Sequence, residues 1–114
     1  MWPRRFAANI ICARTYITQA EARTLVIDAA RTYAVSGVGL DTDEAQDTDP
    51  PAAWTFRVFA TNAPPGPGIY SNLVGWFSVD KHTAALSDPV LERPLKFRQT
   101  QIEQARLRAE HCQR

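Results

Sequence analysis

Two histidines, His82 and His111, and two cysteines, Cys12 and Cys112, are the side chains best suited to nucleophilic or acid–base chemistry. Such chemistry needs a nucleophile, a base within hydrogen-bond reach and a third group that orients the base. No Gly-x-Ser-x-Gly motif is present, and both cysteines lie near the chain ends. His82 falls in a predicted turn, where a solvated histidine is the ordinary explanation. We therefore expect no catalytic residue and no enzymatic activity.

The residues that could hold a metal ion or a nucleotide are also poorly arranged. Zinc sites need clustered Cys and His ligands. The pair Asp41 and Asp43 lacks the third ligand and the central glycine of a calcium-binding loop. The glycine cluster at 66–68 joins two predicted strands instead of preceding a helix, so it does not fit a phosphate-binding loop. We expect no metal and no cofactor.

Acidic residues are concentrated between positions 41 and 49, with no basic residue among them. The carboxylates are Asp41, Asp43, Glu44, Asp47 and Asp49. On an exposed segment they could pair with Arg and Lys of a partner protein and speed association. The alternative is a solvated loop without function, because exposed ion pairs contribute only about 0–1 kcal/mol each.

Aromatic residues near the acidic run are the second candidate for partner binding. Tyr70 and Trp76 are predicted anchors, because Trp and Tyr are enriched among the residues that dominate binding energy. The alternative is that these rings belong to the core of the domain. An unpaired face of the sheet would favour the anchor role over the core role.

Length and composition predict one ordinary globular domain spanning 1–114. Of the 114 residues 45% are hydrophobic and 22% charged, and the formal net charge is +1. A charge this small argues against a dedicated nucleic-acid binder. The apolar run at 6–13 is too short for a signal peptide or a membrane span, and Arg14 interrupts it. We expect a cytoplasmic protein without membrane contact, in which Cys12 and Cys112 are free thiols.

The first half of the chain predicts one helix and one loop. Thr18 and Glu21 have the spacing of a capping box, which marks a helix start. Apolar residues continue at helical spacing to Tyr33, and Gly37 ends the run, so a helix is predicted over 18–37. The acidic stretch that follows has no periodicity and ends in prolines, which predicts an exposed loop over 38–53.

The second half of the chain predicts an antiparallel meander over 54–88, followed by a helix over 95–112. A first strand alternates between two faces from Trp54, a proline- and glycine-rich tip reverses the chain, and a second strand ends at Asp80. Gly75 is a candidate β-bulge. A third strand returns at 84–86. The last helix is weakly amphipathic; its predicted apolar face comprises Ile102, Ala105, Ala109 and Cys112.

The sequence from Gly75 to Leu86 resembles the strand–turn–strand of PepSY-like and cystatin-like small domains. In those domains an aromatic-rich strand ends in Val-Asp-Lys-x-Thr-Gly, and Ala84 stands here in place of the glycine. With the helix before the sheet, residues 18–88 resemble small helix-plus-meander proteins, several of which resemble immunity proteins that neutralise toxins of interbacterial secretion systems. The resemblance implies a helix wrapped on a curved sheet and inhibition by binding.

These features together predict an α+β fold, with an N-terminal helix packed on a three- or four-stranded antiparallel meander and a C-terminal helix. The predicted function is that of an immunity protein, which binds and neutralises a cognate toxin or effector. Two alternatives stay open. A deep polar pocket would favour a cystatin-like or NTF2-like ligand-binding or enzymatic domain, and a symmetric homodimer would favour a self-associating structural module.

Overall fold

The computed structural model describes residues 16–34, 36–50, 52–62 and 72–111. Within these ranges the chain forms two helices, α1 (Gln19–Ala30) and α2 (Arg98–Glu110). It also forms the strands β1 (Leu40–Thr42), β2 (Gln46–Thr48), β3 (Ala53–Ala60), β4 (Leu73–Asp80), β5 (Leu86–Asp88) and β6 (Arg93–Leu95). The predicted α+β class, with a helix on either side of the sheet in sequence, is confirmed.

The strands join into a single antiparallel sheet. β3, β4, β5 and β6 follow one another as a meander, which confirms the predicted antiparallel meander and extends it beyond residue 88. With β1 and β2, the sheet has six strands in the described ranges, against the three or four predicted. β1 and β2 both pair with the other edge of β3, β1 beside its C-terminal half and β2 beside its N-terminal half. The register of β3 on β4 shifts between Val58, opposite Gly75, and Phe59, opposite Leu73, which confirms a bulge next to Gly75.

Helix α1 begins where the capping box predicts. The Thr18 hydroxyl accepts a hydrogen bond from the Glu21 N–H at 3.1 Å, and the Glu21 carboxylate accepts one from the Thr18 N–H at 2.9 Å. The helix ends at Ala30 and not at Gly37, because the chain turns back there toward β1. Arg31 Nη1 fixes this reversal by donating to the Val38 carbonyl at 2.7 Å. Tyr33 therefore lies beyond the helix and is 53% exposed.

The core lies between α1 and one face of the sheet. Phe56 and Phe77 are opposite one another on β3 and β4, and the flanking Val58 and Val79 are fully buried on the same face. α1 covers them with its buried face, formed by Ala22, Leu25, Val26, Ala29 and Ala30. Burying a large apolar side chain contributes about 1.5–3 kcal/mol, so this layer stabilises the fold and holds α1 on the sheet.

The prediction of an exposed loop over 38–53 is wrong, because β1 and β2 form within it. Both strands are three residues long, which is too short to produce a detectable alternation of apolar residues. Leu40 and Ala45 pack against the core, and Asp43 N–H donates to the Arg57 carbonyl at 3.2 Å. The outer edge of β3 therefore holds this segment in place through contacts that are distant in sequence.

The predicted apolar face of the last helix is also wrong. Ile102 is 85% exposed, and α2 instead buries Thr100, Gln104 and Leu107. The polar residues are buried because they have partners: Thr100 Oγ1 donates to Gln104 Oε1 at 3.1 Å, and Gln104 Nε2 donates to the Ala84 carbonyl at 2.8 Å. Hydrophobic periodicity cannot detect a face that is buried through hydrogen bonds. Cys112 lies outside the described residues.

Candidate functional site

The acidic segment, residues 41–49, forms the outer edge of the sheet along β1, β2 and their connection. Three of its carboxylates pair with cations of this chain, on three different elements. Asp41 pairs with Arg23 of α1 at 2.5 Å, and Asp43 pairs with Arg57 of β3 at 2.6 Å. Asp47 pairs with Lys81, directly after β4. The acidic segment is thus joined to the rest of the fold by ion pairs.

The pairs of Asp41 and Asp43 favour the ionised form of these two carboxylates. The hydrogen bond from Arg23 lowers the pKa of Asp41, aided by a bond from the Thr42 backbone, and the hydrogen bond from Arg57 lowers the pKa of Asp43. Because the Asp41–Arg23 and Asp43–Arg57 pairs are open to solvent, each contributes little to stability. Their main effect is to compensate part of the negative charge of the segment.

Glu44 and Asp49 differ from the other three carboxylates. Both are exposed, and within the described ranges neither forms an ion pair. Glu44 lies between β1 and β2, and Asp49 follows β2. Of the five predicted acidic residues, these two are therefore the ones whose charge no cation of the described residues compensates.

Trp76 is linked to the acidic segment through Arg57. Trp76 of β4 lies directly opposite Arg57 of β3, so the two side chains are neighbours on the same face of the sheet. Arg57 in turn binds Asp43, which places Asp43, Arg57 and Trp76 in one row across three segments. The structure therefore brings Trp76 near one predicted acidic residue. The other predicted aromatic anchor, Tyr70, lies outside the described residues, as does Cys12.

Lys81 is not among the residues predicted from the sequence, and it is buried although it is charged. Its ammonium nitrogen lies 4.3 Å from the centre of the Trp54 ring and 5.9 Å from that of Tyr16, and it pairs with Asp47. A cation over aromatic faces is stabilised by the ring quadrupole. Lys81 could have been found from the alternation of side chains along β4. If this alternation is continued for one residue beyond Asp80, Lys81 lies on the same face as Phe77 and Val79.

Both histidines take part in contacts that hold chain segments together. The His82 ring meets Tyr16 edge to face with the ring centres 4.6 Å apart. His111 Nε2 lies 2.9 Å from the Glu21 carboxylate and connects the end of α2 to the start of α1. Burial favours the neutral form of Glu21, but hydrogen bonds from the Thr18 backbone and from His111 outweigh it and lower the pKa of Glu21.

The described part of the chain offers no evident metal site and one cleft of moderate size beside α2. No group of three or more His, Cys, Asp or Glu residues in it is arranged to hold a metal ion. A cleft of about 400 Å³ opens between α2 and β6, with Lys96, Gln101 and Arg108 among its lining residues. This cleft lies at the end of the sheet and not within a cone formed by it.

Comparison with known proteins shows that the fold of this chain is similar to that of a solved structure. No family model matches the chain, and no curated protein matches it. The fold is similar to a chain in the structure of a type VI secretion system effector–immunity complex from Pseudomonas protegens, with a TM-score of 0.61 and 17% sequence identity. The similarity covers 92% of this chain and 85% of that chain. At this identity it shows a shared fold.

The comparisons do not support the more specific resemblance to PepSY-like or cystatin-like domains, because no model of either family matches. As for membranes, α1 and α2, the helices of the described ranges, are both too short and too polar to span a bilayer.

Proposed function

We propose that this chain is an immunity-type protein that binds a cognate effector and neutralises it. The observation that carries the proposal is the fold similarity, over 92% of the chain, to a chain of a type VI secretion system effector–immunity complex. The proposed role is binding without catalysis. In support of it, His82 contacts Tyr16 and His111 contacts Glu21, so both imidazoles are engaged in holding the fold together.

The proposed contact surface is the acidic segment with the row that leads from it to Trp76. Glu44 and Asp49 supply uncompensated negative charge, which attracts a basic partner surface and raises the association rate. Trp76 is half-buried, so its ring combines a fixed position with area left to contact a partner. Asp41, Asp43 and Asp47 have a smaller role in binding here, because their charge is already paired.

The proposal is tested by affinity capture of the tagged full chain from its source cells, with partners identified by mass spectrometry. We expect one stoichiometric protein that stops growth when it is expressed alone. The captured complex then allows binding kinetics of the variants Glu44→Gln and Asp49→Asn to be measured at low salt. Each should reduce the association rate about two- to fivefold, because rim charges act chiefly on encounter.

The matched control is Asp28→Asn, which removes an exposed carboxylate from α1, outside the proposed surface. It should leave the association rate unchanged. Equal rates for all three variants would reject the acidic segment as the contact surface. Recovery of a second copy of this chain as the sole partner would reject the immunity role and favour self-association.

A further inference from the structure

Strand β4 is longer than the strand beside it. β4 has eight residues, but β5 pairs only with Ser78 and Val79 near its end. Pro89 follows β5 directly, and because proline has no N–H the ladder stops there. Among the described residues, positions 75–77 of β4 therefore have no strand on the side away from β3.

The alternation of hydrogen bonds shows which backbone groups face this open side. Asp80 N–H donates to the Ala85 carbonyl on the β5 side, whereas Lys81 N–H donates to the Ala52 carbonyl on the β3 side. Backbone groups point to opposite sides at successive positions of an antiparallel strand. Counting back from Asp80, Ser78 faces β5 and Trp76 faces the open side. The N–H and C=O of Trp76 thus point to the side of β4 on which no strand of the described residues pairs with it.

A small cavity lies beside this open edge, between β4 and the β5–β6 hairpin. Its volume is about 160 Å³, and its wall includes Tyr33, Val74, Trp76 and Phe77. This size suits one apolar side chain. The hairpin beyond it ends in Val90 and Leu91, which are 67% and 60% exposed and extend the apolar surface.

Arg93 of β6 also lines this cavity, together with Asp88 of β5. In the ranges that the structure describes, Arg93 forms no ion pair, and its side chain is exposed. Its register partner Asp88 is engaged elsewhere, because the Asp88 carboxylate accepts hydrogen bonds from the Val90 and Leu91 N–H groups at 2.8 and 3.0 Å. An acidic residue of a partner would complement Arg93.

The other two sheet edges carry features that prevent strand pairing. On β6 the outward position is Pro94, which has no N–H to donate. On β1 and β2 the edge carries Asp41 and Asp47, and charged residues on an edge oppose pairing with another strand. Positions 75–77 of β4 are Gly, Trp and Phe, which carry no such protection. This edge is therefore the one suited to accept a strand.

We propose that the open edge of β4 at residues 75–77 binds an extended segment of a protein partner by strand addition. The segment pairs with the backbone of Trp76, places one apolar side chain in the 160 Å³ cavity and sets an acidic side chain against Arg93. Main-chain bonds supply the affinity, and the cavity with Arg93 supplies the specificity. Only the identity of the partner as an effector rests on the proposed function.

The test is an NMR titration of the isotope-labelled full chain with a synthetic peptide. The peptide has eight residues that alternate Thr and Val, with a central Phe and an Asp two residues after it, so that both side chains lie on one face of the strand. We expect dose-dependent shifts of the amide signals at Trp76, Phe77 and Asp88. An analogue with N-methylated backbone amides in the central residues cannot pair as a strand, and it should bind at least tenfold more weakly.

Two arginine variants separate the Arg93 contact from general charge. Arg93→Gln should weaken binding of the Asp peptide several-fold and leave an Asn version of the peptide unaffected. Arg98→Gln, which removes an exposed arginine at the start of α2, should change neither. Absence of shifts at millimolar peptide, or equal binding of the N-methylated analogue, would overturn the proposal. Concentration-dependent shifts without peptide would show instead that a second copy occupies this edge.

The outcome of the peptide titration does not depend on whether the chain is an immunity protein. Peptide binding at β4 by a chain that neutralises no effector would retain the site and remove the immunity role. Neutralisation by a chain whose β4 edge binds no peptide would retain the immunity role and remove the site on β4.

Discussion

In the part of the chain that the structure describes, two residues other than glycine adopt a left-handed backbone conformation, Ala84 with φ 65° and Glu92 with φ 53°. This conformation costs an L-residue about 1–2 kcal/mol, and glycine avoids the cost. Glu92 is exposed and loses no packing, so Glu92→Gly should raise the free energy of unfolding by about 0.5–1 kcal/mol. Ala84→Gly also removes a buried methyl group, worth about 0.8 kcal/mol, and should be nearly neutral.

Urea unfolding measures both effects, and Gly37→Ala is the matched control. Gly37 has φ 85°, and a methyl group there would meet nothing within 4 Å. Its substitution should therefore lower the free energy of unfolding by about 1 kcal/mol through backbone strain alone. A destabilised Glu92→Gly variant would contradict the account of this turn.

Lys81 and Asp47 form a pair in which one partner is buried and the other is open. Removing the open carboxylate leaves a charge in a largely desolvated position, so Asp47→Asn should cost about 1 kcal/mol of stability. Lys81→Met keeps the packing on Trp54 without a charge and should cost less. Thermal unfolding of both variants and their combination checks this, because the double variant should be no less stable than Lys81→Met alone. Additive losses would show that the pair contributes nothing.

At the scale of elements, the acidic segment should make stability depend on pH. The folded-state pKa values of Asp41 and Asp43 are lowered by Arg23 and Arg57, so the unfolded chain binds protons more readily than the folded one. The stabilising contribution is complete above the unfolded pKa of about 3.9 and is lost as pH falls through the folded values. We expect the free energy of unfolding to decrease below about pH 5.

Urea unfolding between pH 7 and pH 2.5 measures this dependence. The double variant Asp41→Asn with Asp43→Asn should show a flatter profile, whereas Asp28→Asn, at an exposed position of α1, should follow the parent chain. Identical profiles for the parent and the double variant would show that the two pairs do not hold β1 to its neighbours.

Helix α2 docks through hydrogen bonds as much as through apolar contact. Gln104 bonds both Thr100 and the Ala84 carbonyl, so Gln104→Ala leaves buried polar groups without partners. This should lower the free energy of unfolding by about 1–3 kcal/mol. Gln101→Ala, on the exposed face of the same helix, should change it by less than about 0.5 kcal/mol. Equal effects in chemical denaturation would contradict this docking mode.

Over the whole molecule, the sequence predicts the elements that carry strong local signals. The capping box at Thr18 and Glu21 sets the start of α1, and the alternation of β3 gives the core face of the sheet. The elements that it does not predict depend on distant partners. β1 and β2 form because β3 offers an unpaired edge, and α2 buries Gln104 because the Ala84 carbonyl accepts its amide.

In the candidate site, too, the local features can be predicted from the sequence and the contacts between distant residues cannot. Its composition is visible in the sequence, since Asp41, Asp43 and Asp47 stand out as a charge run. Their partners Arg23, Arg57 and Lys81 are not, because each comes from a different part of the chain. The open edge of β4 depends on where β5 stops, which a sequence read one element at a time does not show.

We propose that the chain neutralises a protein partner by binding it. The most direct measurement is bacterial growth when the captured partner is expressed with and without this chain at matched levels. The account predicts that the partner alone stops growth and that co-expression restores it. A partner that is harmless alone, or growth that stays arrested in the presence of the chain, would contradict the immunity role.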